Sequence, residues 1–324
     1  MKQRGEYALI KGYTVHYLQF DNIKDFHHFM DTHGLKPINK ELWEHTVKRT
    51  QHRVNQGSNW YGLPAPKSME ELAHHREFIG MHLLDEARRG LEKKLGKFMA
   101  FFEENELPQR KIAYNSMGLG VFSFSRASLG LHKVPKPDGG TKLVTSVKEV
   151  YAYFERKQVD NKTVRIFVEA GANANIKGEQ MLYVGIGMML LVELFEKMGV
   201  GIEINVMLGA KSKNGNHFIS ITKAKRLEDS LDQNLILLLC ADPRYYRFRG
   251  LQGINAIYDY FGKHCPKNFG ASFDRQVSKK FIESLSEKTS YTYLFQQSYS
   301  LDGVEREIER ILMDFKQKSQ QPTK

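Results

Sequence analysis

Cysteine is nearly absent from this chain of 324 residues: Cys240 and Cys265 are the only two. Two cysteines cannot build a disulfide framework, which points to a reducing compartment. Cys240 closes a strongly apolar run and reads as a buried, inert thiol. Proline (nine) and glycine (26) are too few for a collagen-like or low-complexity chain. No apolar run reaches the roughly 20 residues a bilayer requires; the longest, residues 181–195, is broken by Gly185, Gly187 and Glu193. The opening MKQRGEYALIKGY has no apolar stretch of signal length. A soluble, cytoplasmic protein with no membrane partner is therefore expected. The HExxH pattern, a GxxxxGK[ST] loop and internal repeats are all missing, which argues against a zincin, an ATP motor and a solenoid.

What the chain does have is apolar bulk and positive charge. Apolar residues make up 41%, with 20 Phe and 15 Tyr, enough for one large or two modest domains. The net charge is +11, which favours an anionic partner such as nucleic acid. The excess is central: residues 111–162 carry nine Lys or Arg against four acids. A merely solvated surface accounts for the same total.

The first 105 or so residues read as helical. Asp21 or Asn22 caps a helix ended by Gly34, and a longer helix runs over residues 40–54. Ser68 and Glu71 form a capping box. An apolar stripe of Leu84, Ala87, Leu91, Leu95, Phe98 and Phe102 follows at helical spacing. From residue 111 to 131 the period changes to two, which predicts a β-hairpin turning at Met117–Gly120. Residues 132–141, rich in Pro, Gly and Lys, read as a linker. This places a helical and β-hairpin module at residues 1–135 and a second domain at 136–324. In the second domain, strands are expected at 164–168, 202–208, 218–221, 235–240 and 291–295. Helices are expected at 178–198, 227–233, 243–261 and around Val304–Phe315.

That order, with its antiparallel partner at 218–221, resembles a von Willebrand factor A-like domain: an α/β, Rossmann-like, doubly wound and mostly parallel sheet. Val168-Glu169-Ala170-Gly171, Gly185-Ile186-Gly187, Trp60-Tyr61-Gly62 before Ser68, and Asp242-Pro243-Arg244-Tyr245 also look like an uncharacterised family of phage- and prophage-encoded proteins. The second resemblance implies a viral or mobile-element origin, hence a host-cell cytoplasm. The first implies a divalent-metal loop at the carboxyl ends of the strands, since hard cations take oxygen ligands. The matching residues here are Glu169, Asn173 and Asp242. Gly171 stands where the pattern has a serine, so the resemblance implies at most a weakened Mg²⁺ site and no other cofactor. Asp242 equally suits an N-cap to a helix starting at Pro243.

In an open α/β sheet, ligands bind beyond the carboxyl ends of the strands. Three loops should converge there, at residues 170–177, 210–216 and 241–247. They and their flanks offer Lys211, Lys213, Arg244, Tyr245, Arg247 and Arg249, and no acid lies between Glu203 and Glu228. Arginines interleaved with aromatics at a helix start suit phosphates and stacked bases. The alternative has Tyr245 and Phe248 facing a core. Nine of the twelve histidines precede residue 83. The pairs His27-His28 and His74-His75 diverge by about 100° on a helix and chelate nothing alone. The sequence therefore predicts a non-catalytic, nucleic-acid-binding or nucleoprotein accessory factor of a phage or mobile element. A protein-interaction adaptor for a phage or host partner comes second, and a metal-dependent hydrolase last.

Overall fold

The computed structural model describes residues 4–10, 12–33, 38–79, 89–90, 93, 96, 111–117, 121–128, 130–155, 163–172, 174–267, 273–287 and 290–319. The helical stripe expected over Leu84–Phe102 and the turn glycines Gly118 and Gly120 lie outside them. The chain forms two compact units: residues 1–105 with 162–324, and residues 106–161 inserted between them. A boundary at residue 135 would cut through the inserted unit.

In the larger unit, β1 (Arg4–Ile10) and β2 (Tyr13–Phe20) form a hairpin turned at Gly12. Helices α1 (Ile23–His33), α2 (Lys40–Asn55) and α3 (Met69–Ala73) follow, with a 3-10 turn at Asn59–Tyr61. Asn22 caps α1, its Oδ1 accepting from Asp25 N at 2.9 Å. Ser68 caps α3 as expected, accepting from Glu71 N, while Glu71 reaches back to Lys67 N rather than to Ser68.

In the inserted unit, β3 (Lys111–Asn115) and β4 (Val121–Phe122) do not pair with each other. After the short α4 (Phe124–Ser128) come β5 (Leu131–Pro135), β6 (Thr141–Thr145) and β7 (Tyr151–Glu155). β7 runs between β3 and β4, antiparallel to both. The expected hairpin is thus a three-stranded sheet closed by a later strand. The expected linker is the β5–β6 ribbon: Pro137-Asp138-Gly139 makes its turn, with Gly139 at φ +79° donating to Lys136 O.

The larger unit resumes with β8 (Thr163–Glu169), α5 (Gly178–Lys197), β9 (Ile202–Lys211) and β10 (His217–Lys225). Then come α6 (Gln233–Cys240), a π-helical turn at Tyr245–Gly250, α7 (Leu251–Tyr260), α8 (Arg275–Ser284), β11 (Ser290–Phe295) and α9 (Leu301–Ser319). One six-stranded sheet holds the unit together in the order β1-β2-β10-β9-β8-β11. Three of its five pairings are parallel, β2/β10, β9/β8 and β8/β11. The fold is mixed α/β around a mostly parallel sheet.

Three segments correct the sequence reading. The N-terminal residues are not purely helical, since β1 and β2 extend the main sheet. Residues 235–240 are helix, not strand, because Asp232 caps them by accepting from Leu235 N at 3.0 Å. A short, fully apolar run carries no period that separates the two states. No helix occupies residues 227–232.

Alternation along β8 sends Val164, Ile166 and Val168 into one core and Phe167 into another. Among the described residues, α1, α5, α6, α7 and α9 contribute to the first core and α8 to the second. Among the described residues one helix, α5, is long and apolar enough to cross a membrane, but 78% of its apolar window is buried as the central core helix.

Candidate functional site

The carboxyl ends of β8 and β11 lie at the point where the chain leaves β8 for β9 on one side and reaches β11 on the other. That is the usual ligand crevice of such sheets. Gly171, just beyond β8, has φ +125°, and a Cβ there would stand 2.7 Å from the Tyr246 ring. The Tyr299 hydroxyl lies 2.7 Å from Gly171 O and 2.8 Å from Gln297 Oε1. Two tyrosines thus pack against the turn that would carry a metal loop. Glu169 is 6% exposed, and its Oε1 has no hydrogen bond. Burial raises its pKa, opposed by the Ser278 hydroxyl and by Arg275, both on α8.

Asp242 is committed elsewhere. Its Oδ1 accepts from Arg244 N at 2.8 Å, and its Oδ2 sits 2.6 Å from His75 Nε2. Both side chains are buried. The cap function expected of Asp242 is present, but it follows helix α6, not a strand. Asn173 lies outside the described residues. Glu169 faces α8 while both Asp242 oxygens are used by His75 and the helix start, so these two carboxylates do not fit a shared Mg²⁺ site. Among the described residues no group of three His, Cys, Asp or Glu side chains is placed to hold a metal ion.

Arg244 precedes the π-helical turn that carries Arg247 and Arg249, and all three predicted arginines face inward. Arg244 donates to Glu71 at 3.2 Å. Arg247 donates to the carbonyls of Trp60 and Ile176 and lies 4.3 Å over the Trp60 ring, whose other partner is Arg53 at 4.0 Å. Arg249 pairs with Asp31 at 2.9 Å and Gln252 at 2.8 Å. Exposures of 2%, 1% and 4% leave none of the three on the surface. Tyr245 is fully buried, its hydroxyl 3.0 Å from His27 Nε2. The expected phosphate contacts and base stacking are therefore not available at these four residues. A guanidinium has five donors, and here they find the carboxylates of Glu71 and Asp31, the Gln252 amide oxygen and the carbonyls of Trp60 and Ile176.

The two lysines are different. They lie at the β9–β10 turn, where Lys213 is exposed and Lys211 is half-buried, 5.7 Å over the Tyr13 ring. Ser212 and Asn216 close that turn, and Asn216 Oδ1 accepts from Thr14 N. Burial and Lys211 push the pKa of neighbouring His217 down to about 4.

Two residues with defined roles were not singled out as partners from sequence: His75, the buried mate of Asp242, and His27. Burial pushes the His27 pKa to about 3, with Arg249 and Arg76 adding to the shift. Separations of 167 and 218 residues leave no local signal for either contact. Next to Asp242 is a cavity of about 20 Å³ bordered by Tyr61, Leu182, Pro243 and Arg244, room for about one water. Both cysteines are buried, and burial raises the Cys240 pKa to about 12, so neither is a reactive thiol.

These features define a class: a mixed α/β protein around a mostly parallel sheet, with a buried His75–Asp242 pair and inward-facing arginines. The chain belongs to the family described as a domain of unknown function (DUF7192), whose model matches residues 148–317. No curated protein and no solved structure matches it.

Proposed function

We propose that this chain is a non-catalytic binding protein whose partner is nucleic acid, contacted through phosphates at the β9–β10 turn. The observation that carries the reading is the turn itself. It presents Lys211 and Lys213 beside Tyr13 and a set of Ser and Asn side chains, within a stretch with no acid between Glu203 and Glu228. Buried arginines take no part in it. The strand order β10-β9-β8-β11, with β10 antiparallel, supports the von Willebrand A-like reading of the sheet. The Tyr246 and Tyr299 packing on Gly171 supports a version without a metal.

The test is a salt-titrated binding assay against DNA and RNA, single- and double-stranded. Each phosphate contact contributes about 0.7–0.9 to the slope of log affinity against log salt. Replacing both Lys211 and Lys213 with Ala should lower that slope by about 1.4–1.8. An unchanged slope in the double variant removes the turn from the binding surface.

A protein-adaptor reading has its own observation. Edge strand β1 exposes Tyr7 (76%) and Leu9 (73%) on one face, an apolar patch that suits a protein partner better than phosphate.

A further inference from the structure

The inserted unit contains a second basic surface. In the β5–β6 ribbon, residues 132–143 are all exposed. His132, Lys133, Lys136 and Lys142 stand against a single acid, Asp138. That acid is used within the turn, where it accepts from Gly140 N at 3.1 Å. The register pairs Lys133 with Leu143 and Val134 with Lys142. Adjacent rungs point to opposite faces, so Lys133 shares one face with Leu143, Lys142 shares the other with Val134, and Lys136 stands at the turn. Leu143 is 61% exposed and Val134 37%. No ion pair engages the three lysines among the described residues.

A two-stranded ribbon with both faces in water is marginal by itself. Its shape and charge fit one kind of partner. Two strands about 4.8 Å apart, each about 17 Å long, make a blade that enters a B-DNA major groove about 12 Å wide. Lysines on both faces then meet the phosphates of both groove walls, and the aliphatic groups lie where thymine methyls are found. The A-form major groove of duplex RNA is too narrow and deep for such a blade.

We propose that the β5–β6 ribbon is a DNA-docking arm that enters the major groove of a duplex and holds its two phosphate walls through Lys133, Lys136 and Lys142. The proposal rests on the nucleic-acid reading above and adds the form of nucleic acid and a second contact surface. The full chain would be titrated against a fluorescent DNA duplex from about 50 to about 200 mM salt. Duplex RNA of the same sequence would serve as the control. Replacing Lys133, Lys136 and Lys142 with Ala should lower the salt slope on DNA by about 2–3 and leave thermal stability unchanged. Replacing the same three with Arg should retain binding. Methylation of guanine N7, which lines the major groove, should interfere. Binding to duplex DNA with an unchanged slope in the triple Ala variant overturns the arm and leaves the β9–β10 turn standing. An equal loss on duplex RNA, or indifference to N7 methylation, overturns the groove assignment. Wild type binding no nucleic acid at low salt overturns both.

Discussion

At the scale of single residues, the charge count hides where the charge is. Arg244, Arg247 and Arg249 are folded into the larger unit, and each retains a buried N–H without a partner: Nη2 of Arg244, Nε of Arg247, Nε and Nη2 of Arg249. Two histidines are buried or half-buried as well. His27 is held neutral down to about pH 3 and His217 to about pH 4, burial being the main cause in both. In the unfolded chain both titrate near 6.5. The folded values are depressed, so the unfolded state binds more protons between about pH 6.5 and 4. Stability is then complete above pH 6.5 and falls as the solution is acidified. Each histidine adds up to about 1.4 kcal/mol per pH unit to that fall. Denaturant titrations at pH 7.5, 6 and 5 should show a steep loss in wild type. In His27→Asn and His217→Asn each profile should be flatter by up to one proton. A wild-type profile flat from pH 7.5 to 5 would remove both buried-histidine assignments.

At the scale of elements, capping decided what periodicity could not. Helix α6 has eight residues, the last six of them apolar, and its start is held by one side chain, Asp232. Asp232→Ala should cost about 1 kcal/mol, read as a lower midpoint of urea unfolding, and Asp232→Ser should recover most of it. No change in Asp232→Ala would mean that burial alone sets the helix. The Asp232-x-x-Leu235 signal was present in the sequence but was outweighed by six consecutive apolar residues that read as a covered strand. Elements with a full amphipathic period were legible, as in α2 and α9, and so was α5 with its stop at Gly199. The β1–β2 hairpin was lost because β2 must bury both faces of its strand, leaving little polar alternation in Val15, Tyr17, Leu18 and Phe20. In the ribbon, Pro137-Asp138-Gly139 is a turn signal in its own right, and the surrounding lysines and prolines made it look like linker. For the candidate site, the basic character of the β9–β10 turn was legible. The inward orientation of the arginines was not, because their acceptors on Trp60, Glu71 and Asp31 lie 173 to 218 residues away.

At the scale of the whole molecule, the family match and the fold have different edges. The matched segment, residues 148–317, starts inside the inserted unit and omits β1, β2 and α1. Yet β2 pairs with β10 over six residues, from Val15 to Phe20. Without it β10 becomes an edge with a row of unpaired N–H and C=O groups. Val15, Tyr17, Leu18 and Phe20 are each at most 5% exposed. At about 1.5–3 kcal/mol per fully buried side chain, these four contribute about 6–12 kcal/mol, comparable to the 5–15 kcal/mol that keeps a typical protein folded. Phe26, Phe29 and Met30 of α1 add to the core that holds Leu18 and Phe20 and are fully buried. Residues 148–317 produced alone should therefore be aggregation-prone, bind a hydrophobic dye and melt without a cooperative transition. The full chain should melt cooperatively and leave the dye unbound. Joining residues 4–33 to the fragment through a flexible linker should restore solubility, because it returns β2 to the β10 edge and α1 to the first core. A fragment that is monomeric and melts sharply without those residues would show that the sheet is self-sufficient from β10 to β11, and that the N-terminal hairpin is an addition to the domain and not part of it.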